Sequence, residues 1–512
     1  MGFLPFFSLE TWILLITFCC IFVMYGHWTY GVFEKLGIPG PKPKMYFGTV
    51  GRMNPVFYIE DSLLAQKYGK VWGMYELRKP VLAVMDPDVL KIVLIKECLT
   101  HFTNRRNLRL NGDLSDAVSI AEDDQWRKIR SVLSPYFSSG RMKEMFNIMK
   151  HHSHKLTVKL QSSLANNDVI NVKEFFGPYS MDIMISIGFG GDMDFINNPS
   201  CPLLSQASNL FRFSIPLFFF QGILAIINIY LFSVSGCFPV VLPLLELLGV
   251  SFFSRTTTGH FKKIVEKFRA ERKGSSHQVW NITIIIFLML NRDSSLSDSE
   301  IVSQLTMFAM AGYETSAITL TFLAYNLARN PEITKRLQEE IDTTFPSKVG
   351  PVQYEALMQM EYLDAVIKES LRLSPPIPRL ERQAKETVKI NDLTIPKDMI
   401  VMIPVYALHR DPELWPEPEE FKPERFSKEN KDSINPYTYL PFGMGPRNCL
   451  GMRFALLLVK LALVEVLQKF SFSVCKETMI PLKMDASGIL GPLHPIKLKL
   501  EPRSTDSEHV DK

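Results

Sequence analysis

The sequence predicts a mainly α-helical body with small β-sheets, an α+β architecture, carried behind one N-terminal membrane helix. Three observations predict it. An uncharged apolar run precedes the first lysine, Lys35. Long stretches repeat their apolar residues at helical spacing between recognisable caps, above all from Ser297 to Arg329. Short β-rich stretches are confined to the first and last thirds of the chain.

The anchor comes first. From Thr11 to Phe33 there is no Asp, Glu, Lys or Arg, and Trp12–Tyr25 is densely apolar. The run is about long enough for a hydrocarbon core of roughly 30 Å, with Trp12, Tyr25, Trp28 and Tyr30 placed for its two interfaces. The competing reading is a cleaved secretory peptide, but that would carry a basic residue before the apolar run. Positive charge follows instead, at Lys35, Lys42 and Lys44, which puts the body on the cytosolic side. Gly37-Ile38-Pro39-Gly40-Pro41-Lys42-Pro43 reads as a stiff hinge, because proline fixes φ. The expected organisation is an anchor over residues 1–34, a Pro/Gly hinge over 35–46, a catalytic body over 47–503 and a polar tail over 504–512.

Within the body, Val71–Leu77 and Val81–Met85 read as strands joined through Arg78-Lys79-Pro80. Asp86 is placed to cap a helix that has Pro87 at its first position. Glu122–Met149 and Phe175–Ile187 read as mostly helical. Ser297 and Glu300 form a capping box for the long helix that ends at Arg329. A further helix begins at Pro331, and another spans Asp364–Leu373 and stops before Pro375-Pro376. Strands are expected near Thr387–Ile390 and Ile400–Val405, and a last long helix from Met452 to Lys469. Phe213–Leu245 carries no charge, but Pro216, Gly222, Gly236, Pro239 and Pro243 divide it into short pieces. It reads as a cap dipping into the bilayer surface, not a second crossing.

Composition narrows the function classes. With 512 residues, 46% hydrophobic, the chain can bury a large core. A net charge of +4 with both signs dispersed gives no footprint for nucleic acid. Seven cysteines with no Cys-x-x-Cys pair argue against a disulfide framework or structural zinc.

One cysteine stands apart. Phe442-Gly443-Met444-Gly445-Pro446-Arg447-Asn448-Cys449-Leu450-Gly451 forms a tight turn just before a Leu-rich helix. Unpaired N–H groups at that helix start favour a thiolate. The stretch resembles the cytochrome P450 haem-binding signature, Phe-Gly-x-Gly-x-Arg-x-Cys-x-Gly, at every fixed position. The resemblance implies the fold of that family and haem b held by Cys449 as axial iron ligand, with Phe442 and Arg447 at the cofactor. A thiolate ligand pushes electron density onto iron and favours O–O cleavage.

Further motifs of the family follow in order along most of the body. Ala311-Gly312-Tyr313-Glu314-Thr315 resembles its oxygen groove. There Gly312 leaves room for O2, Thr315 donates a hydrogen bond to it and Glu314 relays protons through water. Alone, a mid-helix threonine more often bonds its own carbonyl. Glu369-Ser370-Leu371-Arg372 matches Glu-x-x-Arg, and by similarity Arg425 joins Glu369 and Arg372 in a buried structural cluster. Trp126-Arg127-Lys128-Ile129-Arg130 resembles the Trp-x-x-x-Arg helix. Its i,i+4 spacing turns Trp126 and Arg130 toward a haem propionate, and Arg105 and Arg382 are further propionate candidates by similarity.

Gln359-Met360-Glu361-Tyr362-Leu363-Asp364, Met452-Arg453-Phe454-Ala455-Leu456 and the glycine-proline segment look like the microsomal drug- and steroid-oxidising branch, family three, subfamily A. The matching pocket positions are Phe57, Arg105, Ser119, Ile120, Phe211, Arg212, Met307, Met310, Ala311, Thr315, Ile377, Leu380 and Ile489. Leu108 and Met310 stand where that branch usually has Phe, Pro376 and Pro378 are departures near the pocket wall, and the region from 203 to 295 diverges widely. The resemblance implies monooxygenation of steroids, xenobiotics and other lipids with O2, at the endoplasmic reticulum membrane. No Gly-x-Gly-x-x-Gly opens a βαβ unit, so electrons are expected from NADPH through the flavoprotein reductase, with cytochrome b5 as a second donor. Arg127, Lys128, Lys143, Lys422 and Lys431 are candidates for a basic docking face. The rival readings are an endoperoxide isomerase like thromboxane synthase, a haem- or lipid-binding protein without turnover, and a two-span membrane protein without haem.

Overall fold

The computed structural model describes residues 8–51, 53–107, 109–165, 168–202, 204, 241–251, 253, 258–264, 266, 296–347, 350–485 and 488–503. Helix α1 (Leu9–His27) starts at Ser8, whose hydroxyl caps it. At about 1.5 Å per residue it spans ~28 Å. It is the one described helix long and apolar enough to cross a membrane, and only 6% of its apolar window is buried. The glycine-proline segment that follows is not a free hinge. After α2 (Val32–Lys35), the N–H of Gly73 donates to the Pro39 carbonyl at 2.8 Å. Tyr30 Oη donates to the Lys44 and Leu77 carbonyls, and Tyr75 Oη accepts from the N–H groups of Gly31 and Val32. Backbone groups that a linker would leave to water are satisfied against the first strand, so this segment is fastened to the body.

Next come α3 (Phe57–Tyr68), β1 (Val71–Glu76) and β2 (Lys79–Val84). The hairpin turn is tighter than expected and lies at Leu77-Arg78, with Leu77 at φ +56°. Pro80 fits inside β2 because the ladder to the next strand begins only at Val81. Asp86 Oδ1 accepts from the N–H groups of Asp88 and Val89 and starts α4 (Pro87–Lys91) as predicted.

The helix expected over Glu122–Met149 is two helices, α5 (Asp123–Leu133) and α6 (Ser139–Leu164). A 3-10 turn over Ser134–Phe137 separates them, and Ser138 is extended. Pro135 there lacks the N–H that an unbroken helix needs. Then follow β3 (Val169–Asn171), α7 (Val172–Phe189) and α8 (Leu242–Leu247). Helix α9 (Asp298–Arg329) has the predicted capping box in full. It leads into α10 (Pro331–Thr344), α11 (Tyr354–Gln359) and α12 (Glu361–Leu373). The last third holds β4 (Leu380–Gln383), β5 (Val388–Ile390), β6 (Leu393–Ile395), β7 (Ile400–Ile403), α13 (Val405–Leu408), α14 (Met452–Leu467), β8 (Phe470–Ser473) and β9 (Lys497–Pro502). Pro404 ends β7, so Val405 opens a helix instead of closing the strand.

Three sheets result, ordered β1-β2-β7-β4, β3-β9-β8 and β5-β6. The β2–β7 pairing is parallel and joins the first and last thirds; the other pairings are antiparallel. One apolar core fills the helical bundle of α5, α6, α7, α9, α12 and α14, and a second covers the four-stranded sheet. Helix α9 runs through the first, packed chiefly on α7, while α14 packs chiefly on α6. The cap expected over Phe213–Leu245 lies almost wholly outside the described residues.

Candidate active site

The cysteine loop is built by backbone hydrogen bonds. Gly443 N–H donates to the Leu440 carbonyl, Asn448 N–H to Gly445, and Cys449 N–H to Phe442, at 3.0, 3.1 and 2.8 Å. Gly445 sits at φ +76°, and a Cβ there would lie 1.9 Å from the Leu94 carbonyl oxygen. Only glycine satisfies both conditions. The loop delivers Cys449 just ahead of α14. Its side chain is accessible, yet protein surrounds it on nearly every side.

Burial and nearby charges act on the sulfur in opposite directions. Burial pushes the Cys449 thiol above its ordinary range, against the opposing pull of the Gly451 N–H and of Arg105 and Arg130. Helix-start donors thus work against the cost of burial. A bound cation that replaces the proton would hold the thiolate.

Four arginines gather around this loop. Arg447 is 3% exposed and donates to the carbonyls of Thr103, Val118 and Ala121. It thereby ties the 103–121 segment to the cysteine loop, and its guanidinium lies 4.4 Å over the Trp126 ring. Trp126 thus supports Arg447 from within the core. Arg130, on the next turn of α5, donates to the backbone and side-chain oxygens of Asn448 at 2.8 and 2.7 Å. Arg105 donates to the Arg447 carbonyl. Arg382, 1% exposed on β4, donates to the Glu381 carbonyl, and its Nε is buried with no partner. None of the four forms an ion pair with a carboxylate among the described residues. Burial and mutual repulsion hold Arg447 down to about 9 and Arg382 down to about 10. Uncompensated buried cations are costly. A soft sulfur donor beside cations that lack counter-anions is the donor set that an iron porphyrin with two carboxylates would satisfy. The residues present fit haem, with Cys449 on the metal and Arg105, Arg130, Arg382 and Arg447 available to the propionates.

Above the loop, Phe308 of α9 packs on Phe454 of α14 at 5.7 Å between ring centroids, which joins the first turn of α14 to the turn before Ala311. Between Glu300 and Ala328, only Ala311 of α9 is exposed, with Gly312 and Thr315 half-buried beside it. Each of the three expected groups has a close neighbour here. Thr315 Oγ1 donates to the Ala311 carbonyl at 2.7 Å, so its proton is engaged in its own helix. Glu314 is ion-paired through Oε1 to Lys173 of α7, while its Oε2 is buried without a partner. At Gly312 an added Cβ would meet Met184 Sδ of α7 at 2.1 Å, so the absent side chain serves the approach of two helices.

The structural cluster assembles as expected. Arg372 makes a bidentate pair with Glu369, both 0% exposed, and Arg425 Nε lies 3.4 Å from Glu369 Oε1. Sequence reasoning missed His409. Its Nδ1 donates to the Arg372 carbonyl, and its Nε2 accepts the Leu440 N–H at 2.8 Å. It thus links the cluster directly to the start of the cysteine loop, and no local pattern around it signals that role. Asn448, an unspecified position of the signature, was likewise missed as the partner of Arg130.

The pocket candidates divide. Phe57, Ser119, Ile120 and Leu380 are half-buried and Ile377 is exposed. Ser119 Oγ is buried without a partner, and Leu380 lies beside Gly443. Met307 and Ile489 are buried with little exposed surface. Met310 is 0% exposed in the helical core and presents no surface to a pocket, because it points 100° away from Ala311 on α9. Phe211 and Arg212 lie outside the described residues. The basic docking face is mostly neutralised: Arg127 pairs with Asp124, Lys128 with Glu300, Lys143 with Glu355 and Lys422 with Glu417.

Comparison with known proteins agrees with this geometry. The family model for cytochrome P450 matches residues 38–500. Cytochrome P450 3A30 of Fundulus heteroclitus is 54% identical over 503 residues, covering 97% of this chain and 98% of the relative. Cytochrome P450 3A27 of Oncorhynchus mykiss is 53% identical over 515 residues, covering 98% and 96%. Cytochrome P450 3A12 of Canis lupus familiaris is 47% identical over 509 residues, covering 98% and 99%. Matched nearly end to end by the family model and by relatives named to subfamily 3A, the chain belongs to the cytochrome P450 family.

Proposed function

We propose that this protein is a membrane-anchored haem monooxygenase that oxidises bulky lipophilic compounds, steroids and xenobiotics among them, at the endoplasmic reticulum. Family membership makes it a haem oxidoreductase of the monooxygenase class acting on lipophilic substrates. One observation carries the proposal: an accessible thiol, Cys449, ringed by arginines that lack carboxylate partners among the described residues. Haem bound there supplies the activation of O2 and the transfer of one oxygen atom to a C–H bond.

The chain's own groups do the rest. The cysteine loop, closed by three backbone hydrogen bonds, fixes the sulfur. Arg105, Arg130, Arg382 and Arg447 would hold the cofactor's carboxylates through charge-assisted hydrogen bonds. Ala311 offers a small exposed face on α9, and the Thr315 hydroxyl would be free to donate its proton to a bound ligand once its bond to the Ala311 carbonyl opens. Glu314, held at its outer oxygen by Lys173 at the protein edge, links that site to solvent. Half-buried Phe57, Ile120 and Leu380, with the bare Ser119 hydroxyl, orient an apolar substrate. Electrons arrive from NADPH through the flavoprotein reductase, with cytochrome b5 as a second donor. Since most basic side chains of the expected docking face carry their own carboxylates, charge steers these partners weakly. The exposed α1 anchors the body to the membrane that also supplies the substrates.

The test is a spectrum of the reduced, CO-treated protein. Thiolate ligation gives a strongly red-shifted haem band, and Cys449→Ser abolishes both the band and substrate oxidation. Survival of both in Cys449→Ser would remove the basis of the proposal. NADPH-independent turnover of an endoperoxide would favour the isomerase reading instead.

A further inference from the structure

His152 of α6, Asp182 of α7 and Asp192 of the following turn converge. One ring nitrogen of His152 and one carboxylate oxygen of each aspartate lie within 4.8 Å of one another. His152 is 1% exposed and Asp182 0%. Nothing in the haem site uses these groups.

The hydrogen bonds decide which imidazole nitrogen is free. Ser186 Oγ lies 3.0 Å from the Gly191 carbonyl, which can only accept, and so gives its single proton there. In the 2.8 Å contact between Ser186 Oγ and His152 Nε2, the imidazole must then be the donor. Nε2 carries the proton, and Nδ1 keeps a bare lone pair. That Nδ1 is buried and has no hydrogen-bond partner. An imidazole fixed in tautomer by a hydrogen bond at one nitrogen, with the other buried and bare, has the arrangement of a metal ligand. Burial, the largest influence, also keeps it uncharged at neutral pH, down to about 4.

The carboxylates have capacity to spare. Each Asp182 oxygen accepts one backbone N–H, from Phe195 and Ile196 at 2.9 and 3.0 Å. Asp192 Oδ1 accepts the Asp194 N–H, and its Oδ2 accepts Lys155 Nζ at 2.7 Å. Every one of these oxygens retains a lone pair. Lys155 is a competing cation at the same place, but it also reaches Asp194 Oδ1 at 3.0 Å and can stay there when Asp192 is taken. His151 Nε2 stands 3.8 Å from Asp192 Oδ2.

We propose that His152, Asp182 and Asp192 form a three-ligand site for a divalent transition metal of the zinc class, with water completing a tetrahedron. One imidazole with two carboxylates suits zinc better than magnesium or calcium, which prefer oxygen alone, or copper(I), which prefers sulfur. Tetrahedral zinc ligands stand ~3.3 Å apart, so the group closes by up to about 1.5 Å on binding. The ion would staple α6, α7 and the turn over residues 190–196.

The test uses the full-length, haem-loaded protein after chelator washing. Zinc chloride is titrated by equilibrium dialysis with elemental analysis, in wild type, Asp192→Asn, Lys155→Gln and His152→Gln. Wild type should hold about one zinc per chain that Asp192→Asn weakens at least ~10-fold. Lys155→Gln should bind more tightly, because the competing ammonium is gone. A merely structural role for the cluster would not move these two variants in opposite directions. X-ray absorption at the zinc edge should find a nitrogen and oxygen shell. Asp192→Asn and Lys155→Gln alter exposed or half-exposed side chains and should keep wild-type haem content, so the result stands even if His152→Gln fails to fold. Equal zinc binding in wild type and Asp192→Asn, a sulfur-containing shell, or weaker binding in Lys155→Gln would each overturn the assignment.

Discussion

Replacing Glu369 with glutamine should unfold this protein at far lower denaturant concentration without touching the haem pocket. Arg372 has five N–H donors and all are used: two on Glu369, and one each on the carbonyls of His409, Pro418 and Glu420. Glu369 accepts two bonds from Arg372, one from the Lys422 N–H at 2.9 Å and a longer one from Arg425. Both partners are 0% exposed, so water cannot replace a lost contact. Glutamine keeps the shape but removes the charge and points an N–H pair at guanidinium donors. Breaking one side of a buried ion pair costs about 3–5 kcal/mol. The assay follows loss of the thiolate haem band in urea for wild type, Glu369→Gln, Arg372→Met and the double variant. The double variant should be more stable than the sum of the single effects implies, with a coupling of at least about 2 kcal/mol, because it leaves no unpaired charge. A loss below about 1 kcal/mol for Glu369→Gln, or strict additivity, would refute the reasoning.

Three further outcomes are expected. Gly445→Ala places a Cβ 1.9 Å from the Leu94 carbonyl at positive φ, so the purified variant should contain little haem; wild-type haem content would contradict the geometry. His409 is buried neutral, pushed down to about 3 chiefly by burial, so the unfolded chain binds one more proton between pH 3 and 6.5. Its contribution is therefore complete above pH 6.5 and falls by about 1.4 kcal/mol per unit below it. Urea midpoints against pH should flatten by about one proton in His409→Asn, and an unchanged slope would count against that assignment. Thr315→Ala removes the hydroxyl but not the packing of α9, so product formed per NADPH consumed should drop several-fold while peroxide-driven oxidation persists. Full coupling in Thr315→Ala would take Thr315 out of the proton path.

The fold was legible where local signals are strong and self-consistent. Helix α9 announces itself through Ser297 and Glu300, and both capping bonds form. Helix α4 follows from Asp86 and Pro87 in the same way. The failures share a different cause. Periodicity runs straight through residues 122–149, and the break at Pro135 is decided by one missing N–H. Strands β3, β4, β8 and β9 have three to six residues and exist because partners distant in sequence pair with them, as Ile170 does with Leu498. The glycine-proline segment reads as a linker by composition, but its Pro39 carbonyl is held by the N–H of Gly73, more than thirty residues away.

The candidate site divides along the same line. Its identity was legible because Cys449, Gly445 and Arg447 are constrained by chemistry that leaves one residue type each: a sulfur donor, a positive φ under the Leu94 carbonyl, and a planar five-donor cation that reaches three carbonyls at once. Direction was not legible. Spacing places Glu314 and Thr315 on the right turn of α9, yet where each side chain points depends on α7, which offers Lys173 to the first and leaves the second facing its own helix. Met310 is the same lesson in apolar form, one residue from exposed Ala311 and wholly enclosed. Motif spacing therefore fixes which atoms are available to the chemistry, while the packing partner of each helix face decides which of them are presented to the substrate. In this chain that partner is α7, whose Met184 closes on Gly312 and whose Lys173 restrains Glu314, so changes in α7 should alter proton delivery and pocket shape together, although no residue of the signature lies on it.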